Sequence, residues 1–208
     1  MSFDLWLAFA AASTALVLIP GPTVLLVLSY ALSQGKRVAV ASATGVALGD
    51  FIAMSMSLAG LGALVLASAT LFTVLKWAGA AYLIYLGVKL LRSPASSGLE
   101  AMGAQSVTGG GVFWHATAVT ALNPKSIAFF IAFVPQFVVV GQPLLPQFAI
   151  LIATFVGIAT ANALTYALLA DRLRQTIKRP RVITWFTRAG GAALIGMGVM
   201  TALIRRQA

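Results

Sequence analysis

Long apolar stretches separated by short polar connections make up most of this chain. A helix that crosses a bilayer needs roughly 20 mostly apolar residues. Six stretches meet this requirement, and they predict spans at about 4–33, 38–66, 70–91, 113–139, 146–170 and 187–204. The expected fold class is therefore an all-α integral membrane protein with six transmembrane helices.

Two of these stretches, the first and the fourth, are broken by proline motifs. Pro20-Gly21-Pro22 interrupts the first stretch, and Asn123-Pro124 interrupts the fourth. Proline removes a backbone donor, and in hydrocarbon each freed backbone group must find another partner. Breaks at corresponding positions of two halves are the usual sequence sign of a substrate site in a secondary transporter.

An internal repeat supports the division into two halves. Residues 78–88 and 189–199 are identical at seven of eleven positions, and nearly the same offset aligns Asp50 with Asn162. Three spans is an odd number, so the two copies must insert with opposite orientation, as an inverted repeat. We expect one membrane domain with a first repeat over 1–92, a cytoplasmic linker over 93–112 and a second repeat over 113–208.

Composition agrees with a membrane protein, and charge suggests its orientation. The 208 residues are 60% hydrophobic and 9% charged, whereas soluble domains carry about 25% charged residues. The net charge of +10 does not indicate nucleic-acid binding, because the basic residues lie between apolar runs. Ten Lys and Arg residues fall in alternate connections and three on the opposite side. Both termini should lie outside and the basic loops in the cytoplasm.

Asp50 and Lys125 are the charged residues predicted to lie deep in a span. An ionisable group at that depth costs at least about 2.5–3.5 kcal/mol on insertion scales, so it is a functional candidate. Asp50 is interpreted as a proton- or substrate-coupling group, with a structural ion pair as the alternative. Lys125 could pair with Asp50, receive a substrate carboxylate, or extend to the cytoplasmic surface.

The breaks supply further candidates. A helix that restarts after Gly21 or Asn123 exposes unpaired N–H groups that can bind a carboxylate, and a break that only shapes packing is the alternative. Asn162 is either a polar partner of Asp50 or a helix–helix contact. Glycines such as Gly45, Gly49 and Gly87 should allow close helix packing. The candidate site residues are Asp50, Lys125, Asn123, Pro20, Gly21, Pro22, Thr23, Pro124, Ser126, Asn162 and Tyr166.

Taken in order, several motifs resemble one known family. They are Pro20-Gly21-Pro22, Gly45 with Gly49-Asp50, the segment 76–83 with Gly87, and Asn123-Pro124-Lys125. This pattern resembles the LysE/RhtB family of amino-acid exporters over essentially the whole chain. The resemblance implies an exporter of amino acids or close analogues in the cell inner membrane, driven by the proton-motive force. The expected partners are an amino acid, protons, membrane lipid and, as one option, a second copy of the chain.

Other functions fit less well. One histidine, no cysteine and one mid-membrane aspartate are a poor set for an intramembrane enzyme. A metal-ion exporter is the main alternative, but the chain lacks the thiolates or grouped carboxylates that metal ions prefer. We expect no cofactor and no metal site. A channel is not excluded by the sequence. A purely structural subunit is disfavoured, because buried Asp50 and Lys125 would cost stability without a packing gain.

Overall fold

The computed structural model describes residues 1–19, 21–34, 36–67, 69–92, 108–139, 141–177 and 180–203. Within these ranges the chain forms α-helices, one 3-10 turn at Val134–Phe137 and no strand. The helices are α1 (Phe3–Leu18), α2 (Pro22–Gln34), α3 (Lys36–Ala67), α4 (Ala69–Arg92), α5 (Gly109–Ala121), α6 (Pro124–Ala132), α7 (Leu144–Ile177) and α8 (Pro180–Leu203). The predicted all-helical fold is confirmed.

Both predicted breaks divide an apolar stretch into two helices. The axes of α1 and α2 are bent by 58°, and the pair formed by α5 and the segment Pro124–Phe137 is bent by 45°. Among the described residues, Arg37–Gly60 and Leu144–Ala170 are each long and apolar enough to cross a membrane alone. Each bent pair also qualifies if it is counted as one span, which gives up to four spans. Six spans therefore stays a prediction.

Two helices continue beyond the predicted apolar stretches. The connection expected after 170 is largely helical, since α7 runs to Ile177 and α8 begins at Pro180. Arg, Leu and Gln favour helix, so a helix can leave the membrane without ending. The end of the predicted linker is also helical, because Thr108 caps α5 by accepting a hydrogen bond from the Gly111 N–H at 3.3 Å. Residues 93–107 lie outside the described residues.

Helices of the first half pack mainly against helices of the second half. The main partners of α3 are α5 and α7, whereas α4 packs on α8 and α6. The glycines of α3 permit the closest approach: a Cβ placed on Gly49 would lie 2.7 Å from the Thr117 carbonyl oxygen, and Gly45 faces the Phe113 carbonyl. The predicted role of these glycines in close packing is confirmed. Later residues of α3 meet later residues of α5, so the two helices run in the same direction.

The contact between α4 and α8 has an internal symmetry. A Cβ on Gly87 would lie 2.6 Å from the Gly191 carbonyl oxygen, and a Cβ on Gly198 would lie 2.8 Å from the Ala80 carbonyl oxygen. The two contacts are related by the repeat, because the offset of 111 residues relates Gly87 to Gly198 and Ala80 to Gly191. Later residues of α4 meet earlier residues of α8, so these equivalent helices are antiparallel.

The buried side chains form two separate layers. One layer, here called the aromatic layer, contains Phe9, Phe129, Phe130, Phe133, Phe137 and Phe155 together with Met54 and Leu58. The other, the alanine layer, contains Ala31, Ala39, Ala43, Ala116, Ala163, Ala167 and Ala170 with several Val and Leu residues. Both long helices pass from one layer to the other, and the change falls near Asp50 in α3 and Asn162 in α7.

Candidate functional site: a polar cavity where the two breaks meet

A cavity lies between the two layers, at the depth where both broken helices bend. Its total empty volume is about 430 Å³, including the space at its opening. The walls are mostly apolar and come from α1, α2, α3, α6 and α7. Six polar side chains line it, namely Thr23, Asp50, Asn123, Lys125, Ser126 and Asn162. Sequence reasoning named all six.

Asp50 lies near the middle of α3 and is only 4% exposed. Val46, one helical turn before it, lines the same cavity. The Asp50 side chain forms no hydrogen bond or ion pair with the part of the chain that the structure describes. Lys125 lines the same cavity. A carboxylate placed in this way faces the space in which a small molecule or a proton donor can meet it.

Lys125 does not extend to the surface. It follows Pro124 in the first turn of α6, and its Nζ donates hydrogen bonds to the carbonyl oxygens of Leu16 at 3.1 Å and Ile19 at 3.0 Å. Among the described residues it has no contact with a carboxylate oxygen within 4.0 Å, so it does not form the direct ion pair with Asp50 that was one alternative. The Lys125 ammonium group instead binds the C-terminal end of α1.

The sequence of the first break explains part of this arrangement. In an α-helix the carbonyl of residue i accepts from the N–H of residue i+4. Proline at position 20 has no N–H to offer Leu16, and Pro22 has none to offer Leu18. The Leu16 carbonyl accepts instead from the Ile19 N–H at 3.2 Å and from Lys125 Nζ, and Asn162 Nδ2 donates to the Val17 carbonyl at 3.1 Å. Side chains of the second half therefore contribute to capping the broken end of α1.

The second break is capped by its own residue. The Asn123 side chain accepts a hydrogen bond from the Lys125 N–H at 3.0 Å, and Pro124 occupies the start of α6. Asn123 is therefore the N-cap of α6. Asn123 Nδ2 also donates to Thr23 Oγ1 at 3.1 Å, and Thr23 Oγ1 lies 3.4 Å from Thr120 Oγ1. A chain of polar contacts thus links the two breaks.

The remaining predicted residues are placed around the cavity rather than in its wall. Gly21 adjoins it, since a Cβ there would lie 3.4 Å from Lys125 Nζ. Pro22 and Pro124 are exposed at the starts of α2 and α6. Tyr166 packs against the alanine layer and is not among the lining residues. Pro20 lies outside the described residues.

Sequence reasoning missed the backbone acceptors and two side chains. The carbonyl oxygens of Leu16, Val17 and Ile19 bind the polar groups of the second half. A signal existed for Leu16, because each proline removes the donor for the carbonyl four residues earlier. Thr120 and Phe155 contact the site as well, but nothing in the sequence separates them from other threonines and phenylalanines of the spans.

The comparisons with known proteins agree with this architecture. The profile of the LysE type translocator family matches residues 14–204. The homoserine/homoserine lactone efflux protein of Salmonella typhimurium is 37% identical over 205 residues, which cover 99% of both chains. The leucine efflux protein of Salmonella choleraesuis is 33% identical over 74% of this chain and 73% of its own. An uncharacterized membrane protein of Vibrio cholerae is 31% identical over 202 residues. No solved structure is significantly similar to the chain.

A helical membrane protein whose two broken helices enclose one polar cavity has the architecture of a secondary transporter. The chain belongs to the LysE type translocator family, and relatives of this chain include amino-acid efflux proteins.

Proposed function

We propose that this chain exports a small amino acid or a close analogue from the cytoplasm by proton antiport with alternating access. The observation that carries the proposal is the cavity itself, which brings Asp50, Lys125 and the polar groups of both breaks together between two packed layers. The names of two relatives indicate the cargo class, since homoserine, its lactone and leucine are small α-amino compounds without a charged side chain. The cargo proposed here is accordingly a neutral one.

Helix directions support six spans in an inverted repeat. If spans alternate in direction, the second and fourth spans are parallel, whereas the third and sixth are antiparallel. The contacts of Gly45 and Gly49 make α3 and α5 parallel, as expected for the second and fourth spans. The contacts of Gly87 and Gly198 make α4 and α8 antiparallel, as expected for the third and sixth spans. Two nearly equivalent packings of such repeats provide one conformation open to each side. In this mechanism the aromatic layer closes the cavity towards one side of the membrane and the alanine layer closes it towards the other, and the two layers open alternately.

Asp50 is the proposed proton carrier. It faces the cavity without a direct partner among the described residues, so its interactions can change with cargo and with conformation. The repeat places Asn162 at the equivalent position of α7, and an amide does not titrate. Among the residues that line the cavity, Asp50 is then the only one with a carboxyl group. A single coupled proton for each cargo molecule is the simplest stoichiometry.

The test of transport uses the full chain in proteoliposomes with labelled L-homoserine or L-leucine. A coupled antiporter accumulates cargo against its own gradient when a pH gradient is imposed, and the accumulation collapses when a protonophore removes that gradient. Empty liposomes give the background. Equilibration without accumulation would show a channel, and no flux of either compound would contradict the cargo class.

The proposed location is the cell inner membrane, with both termini outside and the basic connections in the cytoplasm. Reporter fusions test this orientation. A fusion at Ser97, within the predicted linker, is expected to be active in the cytoplasm, and a fusion at the C-terminus is expected to be active on the outer side. A cytoplasmic C-terminus would contradict this orientation, and together with a cytoplasmic Ser97 it would contradict three spans in the second half.

A further inference from the structure

The C-terminal end of α1 is already an ammonium-binding site in this structure. Its carbonyl oxygens at Leu16 and Ile19 each accept a hydrogen bond from the primary ammonium group of Lys125. A helix C-terminus carries a partial negative charge, which favours a cation there. A Cβ at Gly21 would lie 3.4 Å from Lys125 Nζ. Because glycine has no Cβ, this side of the ammonium group is free of a side chain from Gly21. The Asp50 carboxyl group lines the same cavity.

We propose that these two carbonyl groups bind the α-ammonium group of the cargo, in competition with Lys125. This inference rests on the proposed function, because it assumes that the cargo is an amino compound that enters the cavity. The ammonium groups of a lysine side chain and of an amino acid have the same three donors and the same charge. The carbonyl oxygens that hold one are therefore suited to the other. When cargo takes this place, the Lys125 ammonium group is displaced into the cavity.

The displaced ammonium group then distinguishes two kinds of cargo. A free amino acid brings a carboxylate, which can replace the carbonyl groups as the partner of Lys125. A lactone, ester or amide of the same amino acid offers only a neutral carbonyl, which compensates Lys125 less, because it carries no net charge to attract the ammonium group. Lys125 thus acts as a specificity-determining residue. It favours cargo with a carboxylate and competes with cargo that lacks one.

A substitution of Lys125 should consequently have opposite effects on the two kinds of cargo. Lys125→Met removes both the competitor and the partner of the carboxylate. Binding of L-homoserine should weaken by about tenfold or more, the loss expected for a hydrogen bond between charged groups. Binding of L-homoserine lactone should strengthen severalfold, because its ammonium group no longer competes for Leu16 and Ile19.

The experiment measures equilibrium binding to the purified full chain in lipid nanodiscs, at a slightly acidic pH that keeps the amine protonated. The probes are L-homoserine, L-homoserine lactone and N-acetyl-L-homoserine lactone, with L-leucine and L-leucinamide as a second pair. Lys76→Met is the matched control, because Lys76 is a cation of α4 that lies 5.9 Å from the Trp77 ring centroid and not in the cavity wall. It should leave all affinities unchanged. The wild-type chain should bind the free amines and not the N-acetyl compound.

Two results would overturn the inference. If Lys125→Met weakens binding of the amino acid and of the lactone equally, Lys125 is a cap of α1 and does not compete with cargo. If the wild-type chain binds the N-acetyl compound as well as the free amine, the cargo ammonium group is not recognised; this second result needs no variant, so it holds even if Lys125→Met misfolds. Binding of neither pair by the wild-type chain would instead contradict the proposed cargo class.

Discussion

The two broken helices look alike in sequence but are held together in different ways. In the second break, Asn123 caps the helix that it begins, and the bend is 45°. In the first break, the bend is 58°, and the carbonyl groups at the end of α1 depend on Lys125 and Asn162. The second break is therefore capped by its own residue, whereas the first combines a local backbone cap at Leu16 with donors from the other half. A movement of one half against the other would act first on the end of α1.

The largest expected difference in stability is between variants of the side chains that hydrogen-bond the free backbone groups at each break. Lys125→Met leaves the Ile19 carbonyl without its side-chain donor and the Leu16 carbonyl with the Ile19 N–H as its remaining donor, and an unpaired buried polar group costs about 1–3 kcal/mol. Asn123→Ala removes one N-cap, which costs about 1 kcal/mol. Thermal unfolding in detergent should show a clearly larger drop for Lys125→Met. A larger drop in melting temperature for Asn123→Ala would mean that the second break depends more on its side-chain hydrogen bond than the first break does.

The prolines allow the same comparison at the level of transport. Pro22→Ala restores a backbone N–H that can donate a hydrogen bond to the Leu18 carbonyl. The bend between α1 and α2 should therefore decrease. Pro124→Ala leaves the Asn123 cap in place, so the second bend should largely persist. Export normalised to the amount of protein in the membrane should fall for both variants and fall further for Pro22→Ala. Normal export by both would make the breaks features of packing alone.

The smallest effect is expected at Asn162. Asn162→Leu removes the donor to the Val17 carbonyl, and hydrogen bonds between membrane helices contribute about 0.6 kcal/mol on average. Thr165→Val on the same helix is the control, because within the described part of the chain the Thr165 hydroxyl donates to the Ala161 carbonyl of its own helix. The melting temperature should drop slightly for Asn162→Leu and stay within error for Thr165→Val. Equal values would show that Asn162 does not hold the first break.

Sequence alone predicted the helical membrane fold, both breaks and the polar lining of the cavity, because each depends on local chemistry. Proline breaks a helix wherever it occurs in the interior, and a charged residue in an apolar stretch can be recognised directly in the sequence. The partner of Lys125 could not be predicted in the same way. The choice between Asp50, a substrate and the carbonyl groups of α1 depends on how α6 packs beside the end of α1, which is tertiary structure. Tyr166 was placed in the site for its position after Asn162, but the turn of α7 directs it to the alanine layer.

The central claim is that the cavity between the breaks couples cargo to a proton through Asp50. Asp50→Asn keeps the size and hydrogen bonding of the side chain but cannot titrate, and Asp50→Glu restores a carboxylate with a longer stem. In proteoliposomes with an imposed pH gradient, Asp50→Asn should lose accumulation of labelled L-homoserine or L-leucine while cargo exchange at zero gradient continues. Asp50→Glu should retain partial accumulation with a shifted pH profile. Accumulation by Asp50→Asn at the wild-type level would contradict the claim and place the proton path elsewhere.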